Sequence, residues 1–239
     1  MPNATSFSRI KLIALDTDGV LFNDTYSPVI ERFVRQRGGT YTAHMERHVW
    51  GSPQLAAGQY MALACKLPQS ADDTMVEFFA ERDRYLEENP VTVAPGVLPL
   101  LETLRSTGVR VTSYGGRDRS YSFDRFLGHL AEYFDAETPY VDVNPFRPGV
   151  KEIARDIFGY QYDEVLFIDD INRVAEVTKA LGAGFIGVPA SMPHNFQREQ
   201  MAETGVRFTV DKVDEIDLPL LLEADRRLAE GTLWEGPAA

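Results

Sequence analysis

The segment KLIALDTDGVLFND, residues 11–24, decides the fold. An apolar run from Leu12 to Leu15 stops at Asp16, and Asp18 and Gly19 follow. Carboxylates crowded at the end of a buried strand are costly unless a cation or another partner compensates them. Open α/β folds place their ligands at the carboxyl edge of a parallel sheet. The segment therefore predicts a first parallel strand that ends in a metal-assisted site. Because alternate residues of an extended chain share a face, Asp16 and Asp18 are expected to face one cavity.

Length and composition fit a globular protein. The chain has 239 residues, with 44% hydrophobic and 25% charged residues, which suits one sizeable domain with an insert or two small domains. The net charge of −12 argues against a nucleic acid or an anionic membrane as partner. A phosphorylated substrate is compatible with this charge, because it needs only a local cation or a metal.

Cysteine content and hydropathy indicate a cytoplasmic location. Cys65 is the single cysteine, so no disulfide forms within the chain, and its apolar surroundings favour packing over catalysis. No apolar run approaches the length of a membrane span, and the N-terminus lacks the pattern of a signal peptide. A homodimer is compatible with the sequence, which does not fix the oligomeric state.

Short apolar runs alternate with amphipathic stretches, which predicts βαβ units and an α/β fold with a doubly wound, Rossmann-like parallel sheet. The predicted strands are 11–15, 110–114, 165–168, 184–187 and 207–210, and the predicted helices of the core are 96–107, 121–130, 150–158 and 173–181. Residues 25–90 show helical periodicity instead, so they predict a small helical domain inserted between the first two strands. The core then comprises residues 1–24 and 91–239.

Three predicted strands end in unusual residues. These are the acids at Asp16 and Asp18, the turn Gly115–Gly116–Arg117, and the pair Asp169–Asp170. The carboxyl ends of parallel strands meet at one edge, so the carboxylates would converge and need a divalent cation, for which hard oxygen ligands favour Mg²⁺. The two glycines would let a phosphate approach the main chain. The alternatives are a simple turn at the glycines and a helix N-cap at the acidic pair.

The sequence also resembles a known family. DTDGVLFND is similar to the first signature, DxDGxxxD, of the haloacid dehalogenase superfamily of phosphatases and phosphomutases, and VLFIDDINRVAEVTKALGAGFIGV resembles its fourth signature. The resemblance covers the core from Leu12 to about Val210. The insert resembles the family's helical C1 cap in position and helical character.

The resemblance implies a role for each acid. Asp16 would be the nucleophile that forms an aspartyl-phosphate, and Asp18 the general acid and then base. Mg²⁺ would be bound by the carboxylates of Asp16 and Asp169 and by the main-chain carbonyl of Asp18. Asp170 would complete the metal shell directly or through water. Halide-cleaving members usually lack an acid at the position of Asp18, so dehalogenation is disfavoured.

The second signature of the family departs from its pattern here. The family places a Ser or Thr that binds the phosphoryl group at the end of the second strand, and this position falls at Gly115. Ser113 and Thr112 would serve only if the strand ended early. The amides of Gly115 and Gly116 are therefore expected to contact the phosphate, and Arg117 either reaches it or is solvated.

The third signature, a lysine ahead of the acidic pair, is ambiguous. Arg147 and Lys151 lie 22 and 18 residues before Asp169. Since the family uses an ammonium, Lys151 is slightly favoured over Arg147.

In the insert, TAHMERHVWGSPQ places His44 and His48 on one helix face. Together with Trp50 and Arg47 they are predicted to face the substrate, the alternative being an ordinary helix with a packed tryptophan.

The sequence thus predicts a Mg²⁺-dependent phosphatase of a small phosphorylated metabolite. A phosphomutase of the same family and a non-catalytic binding protein on a decayed site are the alternatives.

Overall fold

A five-stranded parallel sheet forms the centre of the protein. The computed structural model describes residues 6–234. The strands lie in the order β3-β2-β1-β4-β5, so β1 is central. Their bounds are Leu12–Asp16 (β1), Arg110–Gly115 (β2), Tyr140–Asp142 (β3), Val165–Asp169 (β4) and Gly184–Gly187 (β5).

Both faces of the sheet are covered. All five residues of β1 are buried. Ile13 and Leu15 pack in one hydrophobic cluster, whereas Leu12 and Ala14 pack in a second cluster. Successive side chains of a strand point to opposite faces. The two clusters therefore lie on opposite sides of the sheet, and the predicted doubly wound α/β fold is confirmed.

Eight α-helices surround the sheet in the described part of the chain. They are Ser27–Gln36 (α1), Ala43–Val49 (α2), Gln54–Ala64 (α3), Ala71–Glu88 (α4), Val97–Thr107 (α5), Asn172–Leu181 (α6), Gln197–Thr204 (α7) and Leu218–Glu230 (α8). The helices predicted at 121–130 and 150–158 are present, but in irregular form. Those segments contain wide turns at Ser120–Asp124 and Glu152–Ile157. In the second turn the amide of Phe158 bonds to the carbonyl of Ile153, five residues back rather than four.

Two strand predictions also needed correction. Residues 207–210 form only an isolated bridge to Gly187 through Thr209. The sequence analysis missed β3, whose three residues are too few to show a period. β3 pairs with the end of β2, where Gly115 lies opposite Asp142.

The predicted insert consists of the four helices α1–α4, and no strand occurs between residues 25 and 90. These helices pack around their own hydrophobic cluster, which includes Phe33, Met61 and Phe78. The chain leaves and returns side by side, since the amide of Asn23 bonds to the carbonyl of Thr92 at 3.1 Å. That the insert acts as a separate domain stays a prediction. Over residues 6–234, no helix combines the length and the apolar character needed to cross a membrane.

The insert is also joined to the core through a buried acid. Glu46 on α2 is fully buried. Its carboxylate accepts hydrogen bonds from the Tyr41 hydroxyl and the Gln197 side-chain amide, both at 2.7 Å, and from the Phe196 amide at 2.9 Å. Burial raises the pKa of Glu46, and these donors oppose the rise. Glu46 therefore links the insert to the start of α7.

Candidate active site

A cavity of about 110 Å³ lies between the carboxyl edge of the sheet and the insert. On the core side it is lined by Asp16, Asp18, Gly116, Arg147 and Asp170. The insert covers the opposite side with mostly apolar side chains from α1 to α4. The structure therefore brings together residues from four separate parts of the sequence.

The local path of the chain after β1 places the two acids of the first motif. The amide and the hydroxyl of Thr17 donate to the carbonyl of Tyr114 at 3.0 and 3.1 Å, which ties the strand end to β2. Gly19 then adopts a φ of 100°, and a Cβ at this position would lie 2.5 Å from Asp170 Oδ2. Only glycine allows both the left-handed conformation and this close approach.

Three carboxyl groups are buried together at the sheet edge. Asp16, Asp169 and Asp170 are 4%, 1% and 3% exposed. Burial is the largest cause that raises the pKa of Asp16, and the neighbouring charges of Asp169 and Asp18 add to it. Burial also raises the pKa of Asp169 to about 6, and that of Asp170 rises through burial and the charges of Asp16 and Asp169. The protein alone therefore disfavours three negative charges here.

The hydrogen bonds leave one of these carboxyl oxygens without a partner. Asp169 accepts hydrogen bonds from the Tyr114 hydroxyl and from the Ile171 amide, the latter at 2.7 Å. Asp170 Oδ1 is buried with no hydrogen-bond partner. In residues 6–234 no three or more His, Cys, Asp and Glu side chains are grouped so as to hold a metal ion. A metal ion here would therefore need main-chain ligands such as the Asp18 carbonyl as well. The crowded charges and the unpartnered oxygen fit a divalent cation such as Mg²⁺ in chemistry.

Asp18 lies in a different environment from the three buried acids. Its side chain is 22% exposed. Burial raises its pKa, and the charges of Arg82 and Arg147 oppose the rise. Arg82 Nη2 lies 3.9 Å from Asp18 Oδ1. Asp18 thus faces the cavity beside cations.

Arg82 is a residue that the sequence analysis missed. It lies on α4, is fully buried, and donates to the Thr25 hydroxyl at 2.7 Å and to the Tyr121 hydroxyl at 2.8 Å. The sequence contains a signal for it, since Arg82 follows the buried Phe78 by four residues and so shares its helix face.

Arg147, and not Lys151, is the cation that the structure brings to the cavity. The Lys151 side chain is 59% exposed and pairs with Asp156 at 3.2 Å. Gly149, with a φ of 83°, turns the chain between the two cations, so that Lys151 lies on an outer face. The slight preference for Lys151 over Arg147 is corrected accordingly.

Neighbouring side chains occupy the space that a Cβ atom would take at Gly115 and at Gly116. A Cβ on Gly115 would collide with the Thr17 hydroxyl and lie 2.9 Å from the Tyr140 hydroxyl. A Cβ on Gly116 would collide with the guanidinium of Arg147, with Cζ at 2.9 Å. The glycine pair therefore makes room for Arg147 and for two hydroxyl groups where the family places a Ser or Thr.

Ser113 and Arg117 do not line the cavity. The Ser113 hydroxyl is buried and donates to the carbonyl of Pro139 at 2.8 Å, so its candidacy as a phosphate ligand is corrected. The guanidinium of Arg117 lies over the rings of Phe79 and Tyr121, 4.4 and 4.0 Å from their centroids. Arg117 thus bridges the insert and the core.

Of the four substrate-facing residues predicted on the insert, which are His44, Arg47, His48 and Trp50, only Trp50 lines the cavity. The His48 ring stacks on Tyr60 with centroids 4.5 Å apart, and the His44 ring lies 4.3 Å from that of His48. The buried positions of α2 are Met45, Glu46 and Val49. The helical period therefore turns His44 and His48 away from the cavity, which corrects their predicted role.

A family model of haloacid dehalogenase-like hydrolases matches residues 10–182. The chain belongs to this family. The match spans the predicted first signature, the whole insert and residues 165–182 of the fourth signature, so the resemblance noted in the sequence is confirmed. A comparison with curated proteins gives no significant match.

Solved structures share the fold at low sequence identity. A phosphonoacetaldehyde hydrolase-like protein from Oleispira antarctica is 14% identical with a TM-score of 0.69, covering 99% of this chain and 100% of its own. A β-phosphoglucomutase from Clostridium difficile is 14% identical with a TM-score of 0.62, and the match covers 92% of this chain and 99% of the mutase. A family hydrolase from Deinococcus radiodurans, solved with bound phosphate and sodium, is 19% identical with a TM-score of 0.58, covering 96% and 100%. At these identities the likeness establishes the fold of the whole chain.

Proposed function

We propose that the protein is a Mg²⁺-dependent phosphatase that hydrolyses a small phosphate monoester through an aspartyl-phosphate on Asp16. The observation that carries this proposal is the convergence of Asp16, Asp18, Asp170 and Arg147 on one cavity under the insert. Membership of a hydrolase family and the polar floor of the cavity support it.

Asp16 is the proposed nucleophile. It ends β1, so the strand fixes its main chain, and its carboxylate attacks phosphorus while the ester oxygen leaves. The guanidinium of Arg147, held against Gly116, would bind the phosphoryl oxygens and orient them for attack.

Asp18 is the proposed general acid and base. Its carboxyl is partly exposed to the cavity, and its raised pKa favours retention of the proton that the leaving oxygen requires. Once the protonated alcohol product has left, the same carboxylate would take a proton from the water that attacks the aspartyl-phosphate. Arg82 would hold Asp18 in place from the insert side.

The carboxylates of Asp16, Asp169 and Asp170 and the main-chain carbonyl of Asp18 would hold Mg²⁺. When bound, the ion supplies positive charge that offsets the repulsion between the carboxylate nucleophile and the phosphate.

A phosphate-release assay tests the function. The purified protein is incubated with a panel of small phosphate monoesters, with Mg²⁺ or with EDTA. We expect Mg²⁺-dependent release that Asp16→Asn abolishes. Asp118→Asn is the matched control, because Asp118 follows the same sheet edge but lies in an exposed turn. Release that survives in EDTA, or in the Asp16→Asn variant, would refute the mechanism.

A further inference from the structure

We infer that the substrate is the phosphate ester of a compact, largely apolar alcohol, rather than of a sugar, a polyol or a second phosphate-bearing group. The inference rests on the proposed function, because it concerns the group that leaves from phosphorus in the same cavity. It is carried by the division of the cavity into a charged floor and an apolar roof.

The roof is the part of the cavity that would surround the leaving group. It is formed by side chains from α1 to α4 and the segment between α2 and α3, and the large apolar ones among them include Ile30, Val49, Trp50, Met61, Phe78 and Phe79. All but Phe79 are buried members of the hydrophobic cluster of the insert. A leaving group that enters the cavity therefore contacts mainly hydrocarbon and aromatic surface.

Polar groups in the roof are largely committed to other partners. The Ser52 hydroxyl donates to the His48 carbonyl at 2.8 Å and accepts from Arg173 at 2.9 Å. The Gln54 side-chain amide donates to the Gly116 carbonyl at 2.6 Å. A buried hydroxyl without a partner costs free energy, so the several hydroxyls of a polyol would be poorly accommodated.

Among the described residues of the roof, two buried polar atoms have no hydrogen-bond partner: Oδ2 of Asp24, just before α1, and the indole Nε1 of Trp50. Asp24 accepts hydrogen bonds from the amides of Tyr26 and Ser27 with one oxygen, while its Oδ2 is buried and unpartnered. Asp24 and Tyr26 both line the cavity. The roof can therefore satisfy one donor and one acceptor on an otherwise apolar leaving group.

The charges of the lining disfavour a second anionic group. Arg147 is the one cationic side chain among the described residues that line the cavity, whereas Asp16, Asp18, Asp24 and Asp170 are acidic. The floor already requires Arg147 for the transferred phosphoryl group. A bisphosphate would bring a second phosphate with no cation to receive it, which also weighs against the phosphomutase alternative.

The cavity is also small. Its volume of about 110 Å³ is well below the roughly 300–1,000 Å³ that is typical of pockets for drug-sized ligands. Since the phosphoryl group occupies the floor, the remaining space suits a short alkyl group or a single ring.

The test compares two alkyl esters of similar size, isobutyl phosphate and glycerol 3-phosphate, by kcat/KM for phosphate release with Mg²⁺. A hydrophobic pocket distinguishes substrates by about 10- to 200-fold per methylene-sized change, so we expect at least a tenfold preference for isobutyl phosphate. Val49→Thr, which keeps the shape of the side chain and adds a hydroxyl to the roof, should reduce this preference. Val34→Thr is the matched control, because Val34 is buried in the same cluster but does not line the cavity.

Failure of this inference can be separated from failure of the proposed function. Equal or faster hydrolysis of glycerol 3-phosphate would overturn the inference and leave the phosphatase intact. If neither of the two esters is hydrolysed, binding decides the inference, and the phosphatase proposal fails only if no monoester of the wider panel is hydrolysed either. In that arm, isobutylphosphonate and 2,3-dihydroxypropylphosphonate are compared by the rise in Tm that each produces in the presence of Mg²⁺. A larger rise with the apolar phosphonate supports the inference, and an equal or smaller rise overturns it.

Discussion

Replacement of Gly116 by alanine should disable the site without unfolding the protein. The new Cβ would collide with the guanidinium of Arg147, lying 2.9 Å from Cζ and 3.0 Å from Nε. The colliding atoms are the far end of a long side chain, so Arg147 can move aside at little cost to stability. In moving aside, it leaves the position from which it would bind the phosphoryl group.

The size of the effect follows from the contacts that Arg147 would make. A hydrogen bond to a charged group contributes about 1.5–3 kcal/mol. Since about 1.4 kcal/mol corresponds to a factor of ten, the loss of one such bond lowers kcat/KM by roughly 10- to 150-fold. We expect the free energy of unfolding to change by less than about 1 kcal/mol, because no buried main-chain group loses its partner.

The assay is a double-mutant cycle in phosphate release. Gly116→Ala, Arg147→Ala and the double variant are compared by kcat/KM, with urea unfolding as the control for the fold. If the alanine acts by displacing Arg147, it has little further effect once Arg147 is truncated. Gly128→Ala is the matched control, because a Cβ there meets no atom within 4 Å. Full activity in Gly116→Ala, or additive losses in the double variant, would refute the reasoning.

Three further predictions concern the acids and the insert. Asp16→Asn should stop turnover and leave the urea unfolding free energy at pH 8 in EDTA equal to or above that of the wild type; a clear loss of stability would contradict the charge repulsion described here. Burial raises the pKa of Asp169 from 3.8 to about 6, so its contribution to stability is fully present below pH 3.8 and is lost as the pH rises through 6. In EDTA the free energy of unfolding of the wild type should therefore fall between pH 4 and pH 7.5, and by up to about 3 kcal/mol more than that of Asp169→Asn. Equal pH profiles of stability in the two proteins would contradict the assignment of this fall to Asp169. His48→Ala should leave the preference between isobutyl phosphate and glycerol 3-phosphate unchanged, whereas Trp50→Ala should alter this preference. The ratio of kcat/KM for the two esters, measured in each variant, checks the two expectations.

Much of the fold could be predicted because buried strands and their ends leave a strong local pattern. The runs before Asp16 and Asp169 are short and apolar, and each ends at an acid. These features predicted the bounds of β1 and β4 to within a residue. The three-residue β3 could not be found, since its pairing with β2 depends on tertiary contacts rather than on its own composition.

The candidate site was predicted less evenly. Acids at strand ends can be recognised in the sequence because a charged residue directly after an apolar run is unusual. The choice between Arg147 and Lys151 was not visible, because it depends on the turn at Gly149 and on the space left by Gly116. Arg82 was missed for a similar reason, since a charged residue inside an amphipathic helix is ordinarily assigned to solvent.

The buried contact of Glu46 with the start of α7 has a consequence for how compounds enter and leave. The insert is attached to the core by its two adjacent connecting chains near Asn23 and Thr92, and separately by two hydrogen bonds from residues 196–197 to Glu46, among other contacts. Bonds at a distance from the connecting chains oppose a free swing about those chains. Any widening of the cavity on the α2 side has to break the bonds between Glu46 and residues 196–197. The rate at which product escapes would then be set by a carboxylate that lies outside the cavity and takes no part in the chemistry.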